Sequence, residues 1–226
     1  MTKLLAIETS TEACSVALYS DGEINGFYEH APMRHAELLL PAVRSLLDGA
    51  GLPLADLDAI AFGRGPGSFT SLRIGIGVVQ GLAWGAGLPV VPVSSLAAVA
   101  QQAGDGKRDT FICVAMDARM QEVYTANFHC GDDGFVTPCS AERVCPPGQV
   151  STPQARSFIA AGNGFERFEE LQPLATEAAE CHIDIWPRAE TICALAMKWL
   201  ENNEPLSAGL AQPVYVRNEV ASKPRS

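Results

Sequence analysis

The chain has 226 residues, 47% hydrophobic and 19% charged, with 26 acidic against 16 basic residues and a formal net charge of −10. That much apolar material builds a core for one large domain or two small ones, and the negative balance repels nucleic-acid phosphates, so contact with RNA is expected to run through another molecule. No apolar run reaches the ~20 residues of a membrane span, the opening Met1-Thr2-Lys3 lacks a signal peptide's organisation, and seven cysteines without a CxxC pair read as reduced thiols, so a cytoplasmic protein with no membrane partner is expected.

In chain order, Leu4 to Glu8 (LLAIE) predicts a buried strand, Thr9 to Glu12 a hydroxyl-rich turn, and Ser15 to Tyr19 a second strand ending at the Asp21-Gly22 turn. Ile24 to Glu29 supplies a third, so the chain opens as a three-stranded meander. A helix follows from about His35 to Asp48, with Leu39, Val43, Leu46 and Ala50 on one face and Gly49 and Gly51 closing it. Pro41 removes a hydrogen bond there and predicts a kink or an irregular first turn.

Strand Leu57 to Phe62 then empties through Gly63, Gly65 and Gly67 into a helix from Phe69 to Trp84, with Ser68 placed as its N-cap. Val90 to Val93 predicts a strand and Ser95 to Gln102 a short helix. The polar Gly104 to Asp109 stretch marks a boundary between lobes, giving residues 1–103 and 104–226, with the last segment packing back on the first lobe. Beyond it, Phe111 to Asp117 and Glu122 to Phe128 predict a hairpin around Asp117-Ala118-Arg119 that repeats the opening pattern of strand, acidic residue, turn and strand, which suggests an internal duplication. Gly131 to Pro153, with Pro138, Pro146 and Pro147, reads as loop with short strands, and Arg156 to Ala161 as strand before Gly162-Asn163-Gly164. Ile192, Leu195, Ala196, Trp199 and Leu200 share one face of a further helix, and Pro213 to Arg217 can add a last strand.

The glycine loop and its helix carry the most functional information. A helix N-terminus after a glycine-rich turn presents free backbone N–H groups, which hold phosphates or dock a partner's carbonyls. Gly65, Gly67 and Ser68, with the turn Glu8-Thr9-Ser10-Thr11, are the candidate nucleotide-binding residues. The match to known loops is partial: Thr70 replaces the last glycine of GxGxxG, and Gln101 stands where a Walker A sequence before Gly106-Lys107 needs glycine. Along the helix, Leu72, Ile76, Val79 and Ala83 form an apolar stripe, while Gly77, Gly81 and Gly85 fall four apart as a bare groove, either packed on the chain's own sheet or open to another helix. His30, His35, His129 and His182 include no i,i+4 pair and Ser68 lies in no GxSxG elbow, so no metal site and no catalytic residue is assigned.

Ile7-Glu8-Thr9-Ser10, the run Gly63-Arg64-Gly65-Pro66-Gly67-Ser68-Phe69-Thr70-Ser71-Leu72-Arg73-Ile74-Gly75, and Asp117-Ala118-Arg119 before Glu122-Val123-Tyr124 together resemble the bacterial TsaB (YeaZ) family. The resemblance spans nearly the whole chain, is strongest to about residue 100, and implies an α/β, two-lobed actin-like, sugar-kinase and Hsp70 (ASKHA) fold with a duplicated βββαβα core and a reduced second lobe. It implies a non-catalytic scaffold in the formation of N6-threonylcarbamoyladenosine at position 37 of tRNAs reading ANN codons, working with the transferase paralogue TsaD and the ATPase TsaE and touching tRNA only through them. The paralogue's metal-binding His-x-x-x-His corresponds to Ser95 and Val99 here, neither an imidazole. By the same resemblance the first two helices form a homodimer in isolation and pair with TsaD, which assigns Leu39, Val43, Leu46, Leu72, Arg73, Ile76, Gly77, Val79 and Gly81 to an interface. No intrinsic cofactor is expected, with ATP or ADP placed at or near the TsaD interface. The competing expectation is an ATP-dependent small-molecule kinase or ATPase of the same fold, using the Glu8 and Asp117 turns; a metalloprotease fails for want of ligands.

Overall fold

The computed structural model describes residues 2–217; Met1 and residues 218–226, the end of the expected second lobe, lie outside the described residues. The first sheet is built from β1 (Leu4–Glu8), β2 (Ala13–Ser20), β3 (Glu23–His30), β4 (Ala59–Gly63) and β5 (Val90–Val93), in the order β3-β2-β1-β4-β5. Central β1 pairs antiparallel with β2 and parallel with β4, and all five of its residues are buried. The continuous apolar run LLAIE has this cause: alternate side chains enter different cores on the two faces. Leu5 and Ile7 pack toward α1 (His35–Ala50) and α2 (Phe69–Ala86), whereas Leu4 and Ala6 pack toward α6 (Ala189–Leu200).

The second sheet repeats this plan. It contains β6 (Thr110–Asp117), β7 (Val123–Cys130), β8 (Val136–Pro138), β10 (Ile159–Ala161) and β11 (Glu180–His182), ordered β8-β7-β6-β10-β11, with β9 (Arg143–Cys145) paired to β7. β6 is antiparallel to β7 and parallel to β10, as β1 is to β2 and β4. The duplication suggested by the two acidic turns therefore extends to the order and pairing of the strands, but the expected second βββαβα unit is corrected: β9 and a short turn, with no α-helix, stand between β8 and β10. The second copy is reduced: α4 (Gly164–Arg167) has four residues where α2 has 18, and α5 (Gln172–Glu177) has six.

Two helices cross between the copies. α3 (Ser95–Ala103), which a boundary at residue 103 groups with the first lobe, places Leu96, Val99, Ala100 and Ala103 in the core beneath Ile112, Val114 and Met116 of the second sheet. Conversely, α6 follows the second sheet in sequence but buries Ile192, Cys193 and Ala196 against the first.

Three local expectations are corrected. α1 runs unbroken past Pro41, whose ring lies on the exposed side, and through Gly49; it stops at Gly51, whose φ of +61° suits glycine and whose N–H bonds to Asp48 O and Leu47 O. The strand expected from Arg156 is only Ile159–Ala161. Pro213 to Arg217 forms no strand: Val214 N donates to Arg64 O at 2.8 Å, and the ladder-like contact is instead Leu206 with Val90, at the edge of the first sheet.

Candidate functional site

A cleft of about 1020 Å³ lies between the lobes. Its first-lobe wall is Ser10 to Glu12, His30 and the loop Pro66 to Ser68; its second-lobe wall is Met116 to Arg119, Tyr124, Asn163 and Arg167. Of the candidate nucleotide residues, Ser10, Thr11, Gly67 and Ser68 line this cleft, while Glu8, Thr9 and Gly65 lie beneath its surface.

The glycines explain that burial. A Cβ at Gly63 would overlap the Glu8 carboxylate, one at Gly75 the Thr9 hydroxyl, and one at Gly67 the Ser10 backbone. The loop and the Glu8 turn consequently lie directly on each other, with Ser68 N donating to Ser10 O at 2.7 Å and the Thr9 hydroxyl donating to Ser71 O at 3.0 Å. Glu8 is 1% exposed; its carboxylate accepts from Ser10 N and from the Ser95 hydroxyl at 2.7 Å, and burial pushes its pKa above the usual carboxylate range. Ser68 caps α2 by accepting from Ser71 N, as expected. The Ser10 hydroxyl is buried beside the Glu8 carboxylate.

The second lobe presents its acidic turn differently. Asp117 accepts from Arg119 N at 2.9 Å and pairs with Arg167 Nε at 3.3 Å, while its own N–H donates to Asn163 Oδ1. Arg119, Met120 and Gln121 all adopt left-handed backbone (φ +61°, +55° and +61°), unusual for three successive non-glycine residues. Arg119 also reaches Glu12 on the other lobe. A second tie joins the lobes where Arg64 donates twice to Glu142, at 2.9 and 3.1 Å. Neither Arg167 nor Glu142 carries a sequence signal for these roles.

The outer face of α1 and α2 is a separate feature. Leu39, Val43, Leu72, Ile76 and Val79 are all buried in the first lobe's own core and are corrected from surface patch to core. Periodicity marks the stripe that packs inward, and that is where these five point. Leu46 is half-buried, and Arg73, Gly77 and Gly81 are exposed. A Cβ at Gly77, Gly81 or Gly85 meets nothing within 4 Å, so the groove does not pack on the chain's own sheet. Leu40 and Trp84, exposed by 50% and 64%, share these helices; each is an apolar residue one position beyond the buried stripe, the signal that could have found it. Among the described residues, no three His, Cys, Asp or Glu side chains gather as a metal site, and no helix is long and apolar enough to cross a membrane.

Two sheets of the same strand order, the first in a βββαβα unit and the second without an α-helix between β8 and β10, with a cleft between them, define a protein of the actin-like, sugar-kinase and Hsp70 fold class. The family model for TsaD, tRNA N6-adenosine threonylcarbamoyltransferase, matches residues 28–223. The tRNA threonylcarbamoyladenosine biosynthesis protein TsaB of Escherichia coli K12 is 38% identical over 224 residues, covering 98% of this chain and 97% of that protein. Its Haemophilus influenzae counterpart is 37% identical, covering 97% and 95%. The solved structure of YeaZ from Pseudomonas aeruginosa superposes with a TM-score of 0.86 at 41% identity, covering 95% of this chain and all of that one. The chain belongs to the TsaB (YeaZ) family.

Proposed function

We propose that this chain is a subunit acting by protein contact in the formation of N6-threonylcarbamoyladenosine at position 37 of tRNAs reading ANN codons, with TsaD as its direct partner and TsaE joining the pair. Its relatives' names support the pathway. The observation that carries the scaffold reading is the outer face of α1 and α2, where three glycines of α2 face open space, Trp84 is exposed on the same helix and Leu40 is exposed on α1. A mid-helix glycine costs ~1 kcal/mol relative to alanine, and close approach of a second helix offsets such a cost. The same face serves a homodimer in isolation, and ATP or ADP binds at or near the TsaD interface. The tightly packed Glu8 turn supports a role without chemistry in the isolated chain, and the −10 net charge supports contact with tRNA only through the complex.

The test is modification of unmodified tRNA by TsaD and TsaE with and without this chain. Product is expected only when it is present. Full activity without it, or ATP turnover by the purified chain that disappears on Asp117→Asn, overturns the reading in favour of an enzyme.

A further inference from the structure

Residues 206–217 run from the edge of the first lobe to the second. Up to Ala211 the C-terminal segment is part of the first lobe: Leu206 bridges to Val90, Ala208 and Ala211 are buried, and the Gln80 amide donates to Ala211 O at 2.8 Å. From Pro213 the character changes. Val214 and Tyr215 are 37% and 41% exposed, and this stretch is held by a few polar and stacking contacts. Val214 N donates to Arg64 O beside the glycine loop. The Tyr215 ring lies 5.2 Å from Phe69, and its hydroxyl accepts from Arg73 Nε at 3.1 Å, while the Arg73 guanidinium covers the Phe69 ring at 3.6 Å. Arg217 then reaches the other lobe, donating to Ala118 O at 3.3 Å and to the Glu122 carboxylate.

These contacts lie along the cleft, which Val214 to Arg217 help to line, and they end on the left-handed turn Arg119 to Gln121. Residues in that conformation cost free energy and persist where their surroundings over-determine them. Arg217 is one such determinant, because it occupies the carbonyl and the carboxylate that bracket the turn. We propose that residues 213–217 are a self-docked strap that spans one side of the interlobe cleft, ties its two walls together and holds the Ala118–Glu122 turn in shape, and that its release loosens both. Val214 and Tyr215 are half-exposed, the Arg73–Tyr215 bond lies at the surface and the strap joins no sheet ladder, which places it at the low end of local stability, so it opens without unfolding either sheet. The inference stands apart from the scaffold reading.

Hydrogen exchange of the full chain tests it, comparing wild type with Arg217→Ala, Glu122→Ala and the double variant. The second change leaves the strap's own sequence intact. Each single variant is expected to speed exchange about tenfold at residues 10–12, 65–68 and 118–122 while β1 and β6 are unchanged, and the double variant to add little more. Unchanged exchange at those three segments, additive effects, or equal acceleration in β1 and β6 would each overturn the proposal.

Discussion

The two lobes share one plan and treat its acidic turn in opposite ways. In the first, Glu8 is roofed by the glycine loop and answered by Ser10 N and the Ser95 hydroxyl. In the second, the Asp117 carboxylate is also largely covered, its side chain 6% exposed, but it borders the cleft and is paired with Arg119 and Arg167. The difference follows from where each glycine loop lands. Gly67 and Gly75 bring the first loop and α2 onto Ser10 and Thr9 of the turn itself, whereas Gly162 and Gly164 bring the second loop onto Ala115 O within β6, so that it meets Asp117 only where Asn163 Oδ1 accepts from Asp117 N. Duplication of a fold therefore does not duplicate a site: the connections between the strands decide what each turn presents.

The largest test of that comparison removes the close approaches. Gly67→Ala places a methyl against the Ser10 backbone, and Gly162→Ala places one against Ala115 O at a φ of +116°. Neither neighbour is a flexible side chain, so each variant is expected to lose about 3 kcal/mol in urea unfolding. A loss under about 1 kcal/mol at Gly67 would mean that the loop does not rest on the Glu8 turn. Next comes the tie between the lobes. Arg64 and Glu142 have side chains only 26% and 14% exposed, so removing one leaves the other charge poorly solvated. Arg64→Ala or Glu142→Ala is expected to cost about 2 kcal/mol, and the double variant far less than the sum.

Much of the scaffold was legible because its strands and long helices carry strong periodic signals. β1 and β5 occur at their expected bounds, and α2 begins where Ser68 predicts. Helices of four and six residues give too few turns for a pattern, so α4 and α5 were invisible, as was three-residue β11. The site was less legible. Apolar spacing on α1 and α2 identified the face turned to the core, which is why Leu39, Val43, Leu72, Ile76 and Val79 were placed at the wrong surface. Arg64 and Glu142 stand 78 residues apart, and nothing local announces their pairing.

The buried turn of the first lobe also makes stability depend on pH. Burial raises the pKa of Glu8, so the folded state retains its proton at a pH where the unfolded chain has lost it. Stability from this group is fully present below the ordinary glutamate value of 4.5 and declines as pH rises through the raised value of the folded state. Glu8→Gln removes that titration. Unfolding free energies measured from pH 4 to 8 should therefore fall less steeply with rising pH in the variant than in the wild type. An identical slope would show that Glu8 ionises in the folded chain as readily as in the unfolded one.

The smallest effect separates glycines that serve the fold from one held for a partner. Gly77 has no neighbour that a methyl would meet, so Gly77→Ala should stabilise the isolated chain by about 0.5–1 kcal/mol through helix propensity alone. Measured in dilute solution, that gain would show that the residue is suboptimal for the free lobe, in contrast to Gly67, where the same change is costly. Gly77→Leu carries the comparison further, because Gly77 is exposed with nothing within 4 Å of an added Cβ, and a larger side chain there would occupy the groove a second helix needs. Loss of association with TsaD in the leucine variant, with unfolding of the free chain unimpaired, would tie the groove to partner contact. Unchanged association would move the interface away from the α2 glycines and leave Leu40 and Trp84 to be explained separately.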